Sequence, residues 1–111
     1  MKTLIPILIG LVMLGCAAHP TVKSVVGTYG DDTIRMVFIE NGELESYVGG
    51  KKIEDAKWKI IDGEIHIINE GGISIGRINH DGSLTEIGKI PEGGKRTNTP
   101  EEYQLTLKKI K

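Results

Sequence analysis

The chain has 111 residues, with 14 lysines and arginines against 15 aspartates and glutamates and a formal net charge of −1, a length that suits a single domain. The two signs are mixed along the chain, which excludes the basic stripe that nucleic acid demands; the closing Lys108-Lys109-Ile110-Lys111 is too short to supply one. The single cysteine cannot form an internal disulfide, so the fold must stand on its apolar core alone.

Lys2 precedes an apolar run from Leu4 to Gly15, the basic head and apolar middle of a secretory signal. The run closes on Leu14-Gly15-Cys16, which resembles the lipobox of bacterial lipoproteins, with Met13 where Leu is commoner. That resemblance implies cleavage before Cys16, a diacylglycerol on its sulfur and, often, acylation of the new amine. It places the protein in the bacterial cell envelope, with the membrane as a partner through the lipid on Cys16. Ala17, in place of Asp, is similar to the pattern sent to the outer membrane where the host has two. An uncleaved anchor is the rival reading, but a span needs roughly 20 apolar residues, and Lys2 and His19-Pro20 bound this run. A buried core thiol is the other rival, and the position of Cys16 at the end of a signal argues against it. The chain thus divides into a signal peptide at 1–15, a lipidated tether at 16–24 and a folded domain at 25–111.

Past the tether, β-rich runs alternate with turn pairs. Asn41-Gly42, Asp62-Gly63 and Asp81-Gly82 each separate two such runs, and Asn or Asp before Gly suits tight hairpins. Gly49-Gly50 and Gly71-Gly72 supply turns at the opposite end. Strands are expected at 25–30, 33–40, 43–48, 53–61, 64–69, 73–79, 83–90 and 103–110. No window of a dozen residues carries a helical period.

A two-residue turn at Asp62-Gly63 sets Trp58 opposite Ile67 and Ile60 opposite Ile65. One face then carries Ala56, Trp58, Ile60, Ile65 and Ile67, the other Lys57, Lys59, Glu64 and His66, with Ile61 and Ile68 as exceptions. The apolar face must be buried. Tyr103, Leu105 and Leu107 give the last strand the same alternation, whereas at Asn41-Gly42 either face, Val37 with Ile39 or Met36 with Phe38, can point inward.

An antiparallel up-and-down meander of about eight short strands avoids exposed edges best by curling into a small closed or nearly closed barrel. The fold class is therefore all-β. Val26-Gly27-Thr28-Tyr29 resembles the Gly-x-Trp opening of lipocalin-like domains, with Tyr29 in the Trp position, and the three hairpins that follow are similar in build. That resemblance implies a carrier of a small apolar ligand. The chain also resembles the small bacterial lipoproteins that carry a run such as Trp58-Lys59-Ile60, a turn, then Gly63-Glu64-Ile65-His66.

Catalytic and metal signals are weak. His66 falls on the charged face, where a solvated side chain is expected; His80 lies at a turn and His19 in the tether. None stands at ligand spacing from another or from a carboxylate pair, so no metal or cofactor is expected. Asp31-Asp32 and Glu101-Glu102 are sequence neighbours, and strand neighbours point to opposite faces. Ser24, Ser46, Ser74 and Ser83 lack a nucleophile elbow, and no glycine pair opens a helix as a phosphate cradle does. An enzyme is not expected.

Pro91 to Glu102 is the longest irregular stretch, read as an exposed crossing over one end of the barrel, with Lys95 and Arg96 as candidates to meet an anionic partner. Side chains are expected to fill most of an eight-stranded interior. Two functions fit: a non-enzymatic module that binds another envelope protein, and the lipocalin-like carrier.

Overall fold

The computed structural model describes residues 19–111. Cys16 and the segment read as a signal peptide lie outside these residues. The elements follow in the order α1 (Val22–Val25), β1 (Gly27–Gly30), β2 (Ile34–Phe38), β3 (Glu43–Val48), β4 (Lys51–Ile61), β5 (Glu64–Asn69), β6 (Gly72–Ile78), β7 (Leu84–Pro91), β8 (Thr97–Asn98), a single 3-10 turn (Glu101–Tyr103) and β9 (Thr106–Leu107). Every strand pairs antiparallel with its predecessor from β1 through β8, and β9 pairs with β7. This is the expected all-β meander, nearly closed.

The three Asx-Gly turns differ in a way that sets the register. Asp62 has φ 52° and Gly63 φ 79°, so this pair forms the two-residue turn of a tight hairpin and sets Trp58 opposite Ile67 and Ile60 opposite Ile65 as expected. Asn41 and Asp81 do not take positive φ; only Gly42 and Gly82 do. These two hairpins have three-residue loops closed by a glycine bulge, with Gly42 N–H donating to Ile39 O at 3.0 Å and Gly82 N–H to Asn79 O at 2.9 Å. The side chains of Asn41 and Asp81 hold the loops by accepting from the backbone N–H of Glu43 and of Ser83. The extra residue sets Phe38 opposite Leu44, and Phe38 with Met36 becomes the inward pair.

One end of the barrel is plugged. Tyr29, Phe38 and Trp58 meet edge to face, with ring centroids 5.3 and 5.6 Å apart, an arrangement the aromatic quadrupole favours. Trp58 Nε1 donates to Ile39 O at 2.9 Å and the Tyr29 hydroxyl to Val25 O at 2.7 Å, so both polar tips are satisfied in the core. Burial pushes the Tyr29 phenol up to about 12.

Helix α1 seals that end from residues that show no periodic pattern. Thr21 Oγ1 accepts from Ser24 N–H while Ser24 Oγ accepts from Thr21 N–H, a reciprocal capping box that turns the chain and drives Val25 into the core, fully buried. Thr21 to Ser24, within the stretch read as tether, thus take part in this capped turn.

The C-terminal segment joins the meander's two ends. Leu84 pairs with Leu107 on the β7 side. On the β1 side Thr28 N–H donates to Lys111 O, Gly30 N–H to Lys108 O and Ile110 N–H to Thr28 O. This junction is narrow: β9 has two residues, and Tyr29 and Lys109 form an isolated bridge. Lys109 Nζ adds a hydrogen bond to Ser24 O at 3.0 Å and lies 5.7 Å from the Tyr29 ring centre, tying the last residues to α1. The expected strand at 103–110 is thus shortened. Tyr103, read as inward-facing, sits in the 3-10 turn after Pro100 and is 72 % exposed.

Candidate functional site

Above the aromatic plug the interior is not filled. The inward positions nearest the plug hold Phe38, Trp58 and Ile65, all buried. Toward the far end they become small. Ser46 lies opposite Met36, Ala56 opposite Leu44, Ser74 opposite Ile67 and Gly76 opposite Ile65. The result is an open cavity of about 220 Å³. Its apolar body is formed by Met36, Leu44, Ile67, Leu84 and Leu107, and Leu105 also lines it. The expectation that side chains fill most of the interior holds for the plugged half and fails for the other. The cause is a run of small inward residues, not a wide barrel.

A volume of about 220 Å³ exceeds the roughly 150 Å³ of an apolar cavity able to take up benzene and falls below the roughly 300 Å³ at which drug-sized sites begin. A short chain or a small ring fits. The polar lining consists of Ser46, Glu54, Asn69, Ser74 and Glu86. Antiparallel alternation puts Glu54 on the inward face with Ala56 and Trp58, and Glu86 there as the partner of Gly76. Ile34, Val48 and Leu105 are large apolar side chains left exposed; Ile34 and Val48 pair with each other at the same end of the barrel.

A second concavity, of about 540 Å³, lies against β3, β4 and β5. It is larger, but its lining charges largely satisfy one another: Lys52 meets Asp55 at 3.0 Å and Glu45 at 3.4 Å, and Lys57 meets Glu43 at 3.4 Å. Glu70 is the one lining carboxylate outside these ion pairs.

Of the two candidate contacts for an anionic partner, Arg96 is already engaged. Its guanidinium holds the Glu64 carboxylate through two hydrogen bonds, of 2.8 and 3.0 Å, the fork geometry that makes arginine pairs strong. The same contact lowers the Glu64 carboxyl below its ordinary value. Lys95 is exposed and outside every ion pair among the described residues. The stretch from Pro91 to Glu102 is correspondingly less loose than its composition implies: β8 pairs with Gly88 and Lys89, and Thr99 N–H donates to Ile87 O.

His66 also departs from expectation, being only 9 % exposed although it points away from the barrel interior. Its register neighbour Ile75 is fully buried on that same outer side. The Arg96–Glu64 bridge runs from the residue before β8 to the first residue of β5. His66 Nε2 lies 3.6 Å from Glu64 Oε1 and has no hydrogen-bond partner. Among the described residues no group of three His, Cys, Asp or Glu side chains is placed to hold a metal ion.

Arg96→Ala is expected to release this strap. The pair is partly solvated, with 40 % of the Arg96 side chain exposed, so the loss should be about 1 kcal/mol or less. Because the folded Glu64 value is lowered, the contribution is complete above the ordinary carboxyl value of 4.5 and disappears as pH falls through the lowered one. Denaturant midpoints of the two proteins should therefore differ at about pH 7 and converge toward about pH 3. Trypsin should cut the variant faster after Lys95. A difference that grows on acidification would show that the strap is held by something other than this ion pair.

Comparison with protein-family models, with curated proteins and with solved structures finds no match. What fold and site define is a small antiparallel barrel, plugged by aromatics and a capped helix at one end and open at the other.

Proposed function

We propose that this chain is a lipid-anchored, non-enzymatic binding protein of the bacterial cell envelope that takes a small ligand into the open end of its barrel. The observation that carries the reading is the 220 Å³ cavity, walled by Leu and Ile side chains and bounded by small residues on neighbouring strands. An apolar ligand moiety placed there leaves water, at roughly 25 cal/mol per Å² of apolar surface. The lipocalin-like build read from Val26-Gly27-Thr28-Tyr29 supports the same role, and the lipobox at Leu14-Gly15-Cys16 supports the anchor. Ala17 supports the outer membrane as its place in a host with two.

Contact with another envelope protein is the second reading. It is favoured by one observation: Ile68, Ile73 and Ile90 pair in sequence across β5, β6 and β7 on the outer face and remain only half-buried.

The anchor is tested by Cys16→Ser. The variant should lose palmitate labelling and leave the membrane fraction or accumulate unprocessed, since stable anchoring takes more than one acyl chain. Unchanged labelling and fractionation would remove lipidation from the proposal and leave the cavity reading standing.

A further inference from the structure

We infer that the cavity selects amphipathic cations: a short apolar chain or ring carrying an ammonium or guanidinium group. The inference rests on the cavity being the ligand site and adds the chemistry of the ligand. The interior walls supply apolar contact and no charge, while Glu54 and Glu86 are the charged side chains among the lining residues. Neither carboxylate takes part in an ion pair among the described residues. On the outer surface Glu43, Glu45, Asp55 and Glu64 have basic partners. Lys89, the cross-strand partner of Ser74, is exposed and engages neither carboxylate.

Glu54 and Glu86 both line this small cavity, so their charges disfavour an anionic ligand there and favour a cation. A neutral ligand gains the apolar contact only, and an anion gains that contact against the field of both groups. The order of affinity for one and the same chain is therefore cation, then neutral, then anion. Glu86 is half-buried and Glu54 exposed, so water screens the attraction. A preference of about tenfold, equivalent to about 1.4 kcal/mol, is the expected size, and it should shrink as salt is raised.

The test uses three probes with the same eight-carbon chain, octylammonium, octanol and octanoate, titrated into the purified protein. Methyl shifts of Met36, Leu44, Leu84 and Leu107 report occupancy. Octylammonium should bind about tenfold more tightly than octanol, with octanoate weakest. In the Glu54→Gln, Glu86→Gln double variant, octylammonium should fall to the affinity of octanol, and octanol should bind as before. Octanol binding also shows that the variant is folded and its cavity intact. Equal binding of octylammonium and octanol to the unaltered protein, or a preference that survives in the double variant, would overturn the charge selection and leave the cavity as an apolar site. Failure of all three probes to shift these methyls would overturn the cavity reading with it.

Discussion

Trp58→Ala is expected to lower stability by about 3 to 5 kcal/mol, the cost of deleting a large aromatic from a packed core. Trp58 is 5 % exposed, stacks edge to face on Phe38 and donates its indole N–H to Ile39 O. Its removal opens a void inside the plug and takes away one of the two hydrogen bonds that this carbonyl accepts, leaving it only the Gly42 N–H. Small domains are stable by only about 5 to 10 kcal/mol, so the variant should unfold at a far lower denaturant concentration. Lys57→Ala, one residue earlier and facing outward, loses an exposed 3.4 Å ion pair with Glu43 and should change stability by less than about 0.5 kcal/mol. Equal midpoint shifts for the two variants would mean that the β4–β5 register is wrong.

Gly27→Ala should be strongly destabilising for the gain of a single methyl group. Gly27 has φ 148°, a region nearly closed to side chains, and a Cβ there would lie 2.5 Å from Lys111 O. That carbonyl accepts the Thr28 N–H at 2.7 Å, so the methyl strikes the junction that joins the last residues to the first strand. Strain and a disturbed junction together should cost about 2 to 4 kcal/mol. Gly71→Ala is the control: φ is not positive there and the nearest atom to a new Cβ is Asn69 Oδ1 at 3.8 Å, so the effect should stay within about 1 kcal/mol. Amide exchange at Thr28, Gly30 and Ile110 should rise in Gly27→Ala and remain unchanged in Gly71→Ala. Matched stabilities would show that the junction contributes little to the fold.

The meander was legible because turn residues and alternation are local signals, and the Asp62-Gly63 hairpin was legible residue by residue because both turn positions take positive φ. Asn41 and Asp81 look alike in sequence, yet each accepts a backbone hydrogen bond instead of turning left-handed. The resulting one-residue difference decides which face of β2 is inward. Alternation at Asn41-Gly42 was balanced, and no local signal separates the two loop types. The cavity lay half within reach. Once Trp58 and Ile67 are paired, Ala56 and Ser74 are small inward residues, but Gly76 and Glu86 become inward neighbours only through a shift in the β6–β7 register.

The Arg96–Glu64 pair joins positions 32 residues apart, and His66, beside Glu64 on the outer side, is buried. Nothing in its own strand signals it. The last strand failed for a different reason: Tyr103, Leu105 and Leu107 alternate correctly, but Pro100 starts a 3-10 turn that consumes Tyr103 before pairing begins.

Helix α1 fixes more than the floor of the barrel. Its capping residue Thr21 is only five positions beyond Cys16, and at about 3.5 Å per residue the intervening chain reaches less than about 18 Å. Were Cys16 lipidated as proposed, α1 and the closed end would be the part of the barrel nearest the bilayer. The turns at Gly49-Gly50 and Glu70-Gly71, at the end opposite α1, would then lie farthest from it. A lipid of the supporting leaflet would meet α1 and the Asp62-Gly63 hairpin first, on the far side of the aromatic plug from the cavity. On that proposal the mouth of the cavity would open away from the leaflet, and a ligand would reach it from solution rather than from the supporting lipid.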